Sequence, residues 1–243
     1  MSEPPPFEAL GFEAPTFEAR AFEARAFEAL ARSPIAPVPP VVVMAGWEVS
    51  ARRASPEAAA GASLTLTDCS ALAKVQLRAP ACGQAAAALG VRFGRAARDQ
   101  AGTLVVGSGP GEWLLLAAPG QAQAVAAGLE RIAEQAPGEL VTWVDLTHGR
   151  ALIRLTGAQA ADVLARGCSI DLSDDITPDG AAFRTSVAAL ATDIVRDDLG
   201  GTRSYLMHCE RSSGQYLFDA LLRAGAPFDI EITGLAIPAP PGI

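Results

Sequence analysis

The residues best suited to chemistry in this chain are few and far apart. His148 follows Asp145 by three positions and stands beside Thr147, a grouping in which a carboxylate could orient an imidazole as a general base. A strand end and a turn separate the two, and no nucleophile is placed for them, so His148 reads as a structural corner or interface residue rather than a catalyst. His208 and Cys209 are neighbours on an extended segment. Adjacent strand residues point to opposite faces, so the pair cannot hold one metal together, and one is expected inward and the other outward. Asp171, Asp174, Asp175 and Asp179 make an acidic stretch whose spacing is not that of a calcium-binding EF-hand, and a solvated loop is expected. Gly107-Ser108-Gly109-Pro110-Gly111 is glycine-rich, but a strand follows it rather than a helix that could present amides to a phosphate, so it reads as a hairpin turn. Cys69, Cys82, Cys168 and Cys209 form no CxxC pair, and with two histidines in the chain a zinc cluster is not expected. No position is assigned a catalytic, cofactor-binding or metal-binding role.

The elements around these residues follow from periodicity. Thr142–Leu146 is extended, Thr147-His148-Gly149-Arg150 punctuates, and a second extended segment carries Leu152 and Leu155. A short helix follows, with Ala160, Val163, Leu164 and Gly167 on one face. Thr156 is the expected N-cap and Gly167 the expected left-handed stop. An earlier stretch has the same form. Asp68 lies over Asp145 and Ser70 over Thr147; with a one-residue slip, Val75 lies over Ile153 and Leu77 over Leu155. The repeat distance is roughly 77 residues, the mark of an internal duplication. In the first copy Lys74, Gln76 and Arg78 are expected to face outward, and residues 81–89 read as an alanine-rich helix.

Thr103–Val106 and Glu112–Ala117 form the arms of a hairpin, and residues 121–134 a helix with Ala122, Val125, Ala126, Leu129 and Ile132 along one face. After the acidic loop, Ala181–Ala191 and Thr192–Arg196 read as one or two strands. Arg203–Cys209 is a further strand, Arg211–Ala224 the last helix, and Phe228–Ile232 a short extended piece.

The chain's 243 residues suffice for a substantial core, and a net charge of -8 without a basic patch argues against a nucleic-acid surface. Few cysteines in a chain of this length predict reduced thiols and a cytoplasmic protein. No signal peptide is expected, and Val41–Met44 is far too short an aliphatic run to span a bilayer. Phe7, Phe12, Phe17, Phe22 and Phe27 recur every five residues, a period that matches neither helix nor strand, so residues 1–32 read as a disordered low-complexity extension. Docking of those phenylalanines into a partner's groove is the sharper alternative. Residues 33–62 form a proline-rich arm and linker, with a short helix near Pro56. Residues 63–138 and 139–226 are two α/β subdomains, and 227–243 a tail. The fold class is α+β with duplicated α/β subdomains.

Several motifs resemble the gamma subunit family of heterotetrameric sarcosine oxidase. They are Asp145-Leu146-Thr147-His148-Gly149-Arg150, Leu155-Thr156-Gly157, and Val163 through Gly167-Cys168-Ser169-Ile170-Asp171-Leu172, the last being the most specific. Phe183-Arg184-Thr185, Arg211 to Leu217, and Ser33-Pro34-Ile35 extend the likeness over roughly residues 33–230. The phenylalanine-repeat extension is not a usual feature of that family, and the Arg203–Cys209 strand is less typical of it. The resemblance implies a fold similar to the aminomethyltransferase/folate-binding type and a non-catalytic subunit that partners alpha, beta and delta subunits. It further implies a complex that oxidatively demethylates sarcosine, with FAD, FMN, NAD, tetrahydrofolate and zinc held on the other subunits and no nucleic-acid or membrane partner. Related subunits serve other amine oxidases or dehydrogenases, so the amine is left open. A stand-alone folate-binding or aminomethyltransferase-like protein is the alternative.

Overall fold

Two aspartates set the architecture. Asp68 and Asp145 each end a strand, and each carboxylate accepts the backbone N–H two residues on, from Ser70 at 2.9 Å and from Thr147 at 2.8 Å. Such a turn is one that aspartate forms readily, because its short side chain mimics a backbone carbonyl. Here it carries the chain from one β-sheet to another. A computed structural model describes residues 30–55 and 63–235. The phenylalanine repeats, the helix expected near Pro56 and the end of the tail lie outside the described residues.

In chain order the elements are β1 (Ala31–Arg32), β2 (Val41–Met44), β3 (Trp47–Ser50), β4 (Thr65–Asp68), β5 (Ala73–Arg78), α1 (Gln84–Leu89), β6 (Ala96–Arg98), β7 (Leu104–Gly109) and β8 (Glu112–Ala117). There follow α2 (Ala122–Glu134), β9 (Thr142–Asp145), β10 (Arg150–Thr156), α3 (Ala160–Ala165), β11 (Ala182–Val187), β12 (Leu190–Arg196), β13 (Ser204–Glu210), α4 (Gly214–Gly225) and β14 (Glu231–Thr233). One sheet has the order β6-β7-β8-β5-β9 and a second the order β11-β12-β13-β10-β4-β14. The proline-rich arm adds a small sheet, β1-β3-β2.

The duplication is written into the registers. Val75 pairs with Asp145, and Ile153 with Asp68, which is the correspondence the sequence repeat requires. Each copy runs strand, Asp turn, strand, short helix, three strands, long helix. The strand–strand–helix unit does not sit in one sheet, however. β9 belongs to the first sheet and β10 to the second, while β4 belongs to the second and β5 to the first. Each copy therefore lends its opening strand to the other copy's sheet.

Three apolar layers result. Leu104, Val106, Leu114 and Leu116 of the first sheet meet Leu152, Val195 and Leu206 of the second between the sheets. Val75, Leu77 and Trp113 pack outward toward Leu129 of α2. Leu66, Ile153, Leu155, Tyr205 and Met207 pack the other way, toward Val163 and Leu164 of α3 and Leu217 and Leu221 of α4. Each fully buried leucine of this kind contributes about 2 kcal/mol.

This layering overturns several expectations. Lys74 and Gln76 do not face solvent, because the side of β5 opposite Val75 and Leu77 faces the second sheet; Lys74 is 0% exposed, and only Arg78 at the strand's end is outside. Thr156 does not cap the following helix: it ends β10, its hydroxyl lies 2.9 Å from Ser204 Oγ, and Gln159 takes the N-cap position without a side-chain bond. Gly167 is not a left-handed stop. It is glycine because a Cβ there would come within 3.2 Å of the Ala188 nitrogen, whose N–H donates to the Gly167 carbonyl at 3.0 Å. Gly107 to Gly109 continue β7 with a bulge, so only Pro110-Gly111 turn the hairpin. β6 has no forecast in the sequence, because three residues show no periodicity, whereas Val41–Met44, an aliphatic run that reads as an edge strand or part of a docked arm, is the edge strand β2 of the small arm sheet.

Candidate functional site

A polar row crosses the second sheet and ends in the space between the sheets. Register places Arg184 opposite Asp193 on β11 and β12, and Asp193 opposite His208 on β12 and β13. Arg184 clamps the carboxylate with two bonds, Nε to Oδ1 at 2.6 Å and Nη2 to Oδ2 at 3.1 Å. His208 Nδ1 lies 3.5 Å from Asp193 Oδ2, beyond a good hydrogen bond. The imidazole is 8% exposed, and neither ring nitrogen has a hydrogen-bond partner among the described residues. Burial pushes the His208 pKa below its usual value against the pull of Asp193. Burial works against ionised Asp193 too, but the neighbouring His208 and Arg184 outweigh it and hold that carboxyl below the usual range.

These groups line a cavity of about 40 Å³ that also touches Gln76, Ser108, Glu112 and Arg150. That volume suits about one water molecule, not a folate or a flavin. Ser108 Oγ is turned to the Glu112 carbonyl at 3.3 Å, so it does not serve the imidazole as a nucleophile. A neutral imidazole beside an Arg–Asp pair can exchange a proton with a small polar molecule in the cavity, and there is no room for a larger substrate. A wider surface groove of about 470 Å³ runs between the proline-rich arm and the start of α4. Its polar groups are already engaged: Arg32 pairs with Glu48 at 3.3 Å, and Gln215 accepts from the Ala36 N–H at 2.7 Å while donating to Asp219 at 2.8 Å.

His148 lies elsewhere, at the second crossover. It is exposed and stacks flat on Trp47 of the arm, with ring centroids 4.7 Å apart and planes 7° from parallel. The Asp145 carboxylate it was paired with in sequence is occupied by the Thr147 N–H instead. The two crossovers clasp one another. The Leu152 N–H donates to Ser70 Oγ at 3.1 Å and the Lys74 N–H to Thr147 Oγ1 at 3.0 Å, equivalent bonds in the two copies. Inside this clasp Lys74 Nζ donates to the carbonyls of Ser70 at 2.6 Å and Leu72 at 2.8 Å. Burial lowers its pKa from 10.5 to about 8, partly offset by Asp68.

His208 and Cys209 do point to opposite faces of β13, yet both are buried, since the sheet is covered on both sides: Cys209 by the helices, His208 by the other sheet. Burial raises the Cys209 thiol to about 11, and that of Cys69 likewise, so both stay protonated. Asp171, Asp174, Asp175 and Asp179 are all exposed, as a solvated loop requires, and Asp174 and Asp179 also bind neighbouring groups. Asp174 pairs with Arg196 and Arg203, each at 2.5 Å, and Asp179 accepts the Asp198 N–H at 3.0 Å. Next to it Asp197 bridges Arg154 at 2.6 Å and Arg98 at 2.7 Å. No cluster of three or more His, Cys, Asp or Glu side chains suited to a metal occurs among the described residues. Cys168 and Leu172, the core of the Gly167–Leu172 motif, are buried against α3 and α4. Sequence reasoning missed Arg184, Asp193 and Lys74; Arg184 and Asp193 lie nine positions apart, and only the β11–β12 register brings them together.

The duplicated sheets with their helices define an α+β protein of the aminomethyltransferase/folate-binding type. The chain belongs to the GCVT N-terminal domain family, whose model matches residues 98–237. Two solved structures share the fold. A chain of the heterotetrameric sarcosine oxidase from Corynebacterium sp. U-96, solved in complex with pyrrole 2-carboxylate, is 26% identical with a TM-score of 0.58; the match covers 77% of this chain and 99% of that one. The glycine cleavage system aminomethyltransferase T from Bartonella henselae is 19% identical with a TM-score of 0.61, over 84% of this chain and 60% of that enzyme. No curated protein sequence matches the chain. Among the described residues no helix is long and apolar enough to cross a membrane.

Proposed function

We propose that this chain is the gamma subunit of a heterotetrameric sarcosine oxidase, a cytoplasmic complex in which it supports assembly and carries out no catalysis of its own. The observation that carries this reading is the extent of the two matches. The chain accounts for 99% of the matched sarcosine oxidase chain but only 60% of the aminomethyltransferase. The match runs the full length of the first chain and little more than half of the second. The inner cavity of about 40 Å³ agrees with a supporting role, being too small for a folate or flavin. In this reading alpha, beta and delta subunits hold FAD, FMN, NAD, tetrahydrofolate and zinc, and the complex oxidatively demethylates sarcosine. Exposed apolar side chains at element edges, Val41, Val42 and Val43 on β2 and Val144 on β9, supply surface for such contacts.

The test is native mass spectrometry of the tagged full-length chain purified from its own cell, with a visible absorbance scan. Co-purification with three further chains and a flavin spectrum is expected. Recovery as a lone monomer that binds tetrahydrofolate tightly would overturn the proposal in favour of a stand-alone folate-binding protein.

A further inference from the structure

The duplication makes the outer edges of the two sheets comparable, and they are treated differently. β4 and β9 are equivalent strands, with Leu66 corresponding to Trp143 and Thr67 to Val144. β4 is covered on its outer side by β14, which runs parallel to it with Ile232 opposite Leu66 and Thr233 opposite Thr67. β9 is the last strand of its sheet, and among the described residues nothing pairs with its outer side. The difference shows in burial: Thr65, Leu66 and Thr67 are buried, whereas Thr142, Val144 and Asp145 are exposed and Trp143 is half-buried. Nearby Leu140 is 79% exposed and Val144 52%.

The backbone of β9 is turned to receive a strand. The Leu146 N–H donates to the Lys74 carbonyl at 2.7 Å, and Asp145 faces Val75 in the antiparallel register. In such a ladder inward-bonded positions alternate, so Thr142 and Val144 bond to β5 while the N–H and C=O groups of Trp143 and Asp145 point outward. On the equivalent strand the outward group at Leu64 is bonded, accepting the Glu231 N–H at 2.8 Å. An apolar strand edge left unpaired is a template for another chain.

We propose that β9 is a docking edge for an extended segment of a partner polypeptide, added parallel to β9 as β14 is added to β4. The occupant's chemistry follows from the same equivalence. Ile232 packs into the helix-side core beside Leu66, so an aliphatic side chain opposite Trp143 packs against the core under α2. Thr67 hydrogen-bonds Thr233 through their hydroxyls at 2.6 Å, but Val144 stands in place of Thr67 and calls for an apolar neighbour. The segment is therefore short, extended and apolar at both of those positions. This deepens and rests on the reading of the chain as an assembly subunit.

Hydrogen–deuterium exchange at single-amide resolution tests it, comparing the isolated full-length chain with the chain in its purified assembly. The amides of Trp143 and Asp145 are expected to exchange at least about tenfold more slowly in the assembly, with Thr142 and Val144 slow in both. Val144→Lys, which alters an exposed side chain and leaves β9 bonded to β5, is expected to weaken assembly about tenfold with the isolated chain's melting unchanged. Assembly without slowed exchange at Trp143 and Asp145 overturns the docking edge and leaves the subunit reading standing. Slow exchange of those amides in the isolated chain means that the chain covers its own edge, and overturns the proposal. Failure to assemble at all overturns both.

Discussion

Replacing Lys74 by methionine tests whether a charge is held inside the crossover clasp. Lys74 is 0% exposed, its ammonium reaches the Ser70 and Leu72 carbonyls, and burial brings its pKa from 10.5 down to about 8. A fall of that size corresponds to roughly 3 kcal/mol of preference for the neutral amine in the folded state. The sign follows from proton counting. Below about pH 8 the lysine is charged in both states, and the folded protein bears the full cost of burying it. Between about 8 and 10.5 the unfolded chain holds the proton and the folded one does not, so stability rises with pH; above 10.5 both are neutral and the rise stops. Lys74→Met lacks this titration. At neutral pH it removes the desolvation cost but strands two carbonyls at about 1–3 kcal/mol each, so the two proteins lie within about 2 kcal/mol of each other. Between pH 7 and pH 10.5 the stability of the native protein relative to the variant should then climb by roughly 3 kcal/mol. Cys69, raised to about 11 by burial, titrates nearby with the opposite sign, but it is present in both proteins and all but the small part of its shift that comes from Lys74 drops out of the difference. Urea unfolding followed by tryptophan fluorescence across that pH range provides the comparison. A gap that stays constant within about 1 kcal/mol would refute a buried, charged lysine.

Three other perturbations probe the remaining features. Asp197→Ala leaves Arg154, whose side chain is 13% exposed, without its carboxylate, and is expected to lower stability by about 3 kcal/mol in urea unfolding. Lowering the pH below 6.5 should destabilise the native protein, because the unfolded chain protonates its histidine before buried His208 can, and His208→Leu should flatten that part of the stability profile. Trp47→Ala removes the buried centre of the small arm sheet and should cost about 3 kcal/mol, seen as rapid proteolysis within residues 31–50, while His148→Ala, which loses only the exposed stacking partner, should cost about 1 kcal/mol.

The duplication was legible in sequence because its signal is local. An aspartate, a hydroxyl two residues later and alternating aliphatics recur with one slip, and the Asp68 and Asp145 turns bear this out bond for bond. The long helix α2 and strands β10 and β13 were legible for the same reason. Which sheet a strand joins was not, since β5 alternates Val75 and Leu77 against Lys74 and Gln76 as a half-solvated strand would. The second sheet lying over that face turns polar positions into buried ones, and Lys74 and His208 acquire their altered pKa values there. The Arg184–Asp193–His208 row was illegible because it depends on two registers at once. His148 was misleading for the opposite reason: a sequence neighbour, Asp145, was committed to the backbone, and the real partner, Trp47, comes from about a hundred residues away.

The exchange of opening strands ties the two copies into one body. Because β4 sits in the second sheet and β9 in the first, the inter-sheet layer closes only when both copies are present, and the Ser70–Leu152 and Thr147–Lys74 bonds lock the two crossovers as one joint. A body tied in this way presents its surface as a rigid whole, which lowers the ordering cost of binding a partner. Positions that keep the symmetry serve the joint: Asp68 with Asp145, Ser70 with Thr147. Positions that break it have been released from that duty. Lys74 replaces the counterpart of Leu152, Trp143 that of Leu66 and Val144 that of Thr67, while β14 covers only one of the two equivalent edges. A duplication by itself would have closed both edges or neither. One edge is closed by the chain itself, and the other carries a tryptophan and a valine where its twin has a leucine and a threonine, so the broken symmetry falls on the edge proposed for docking.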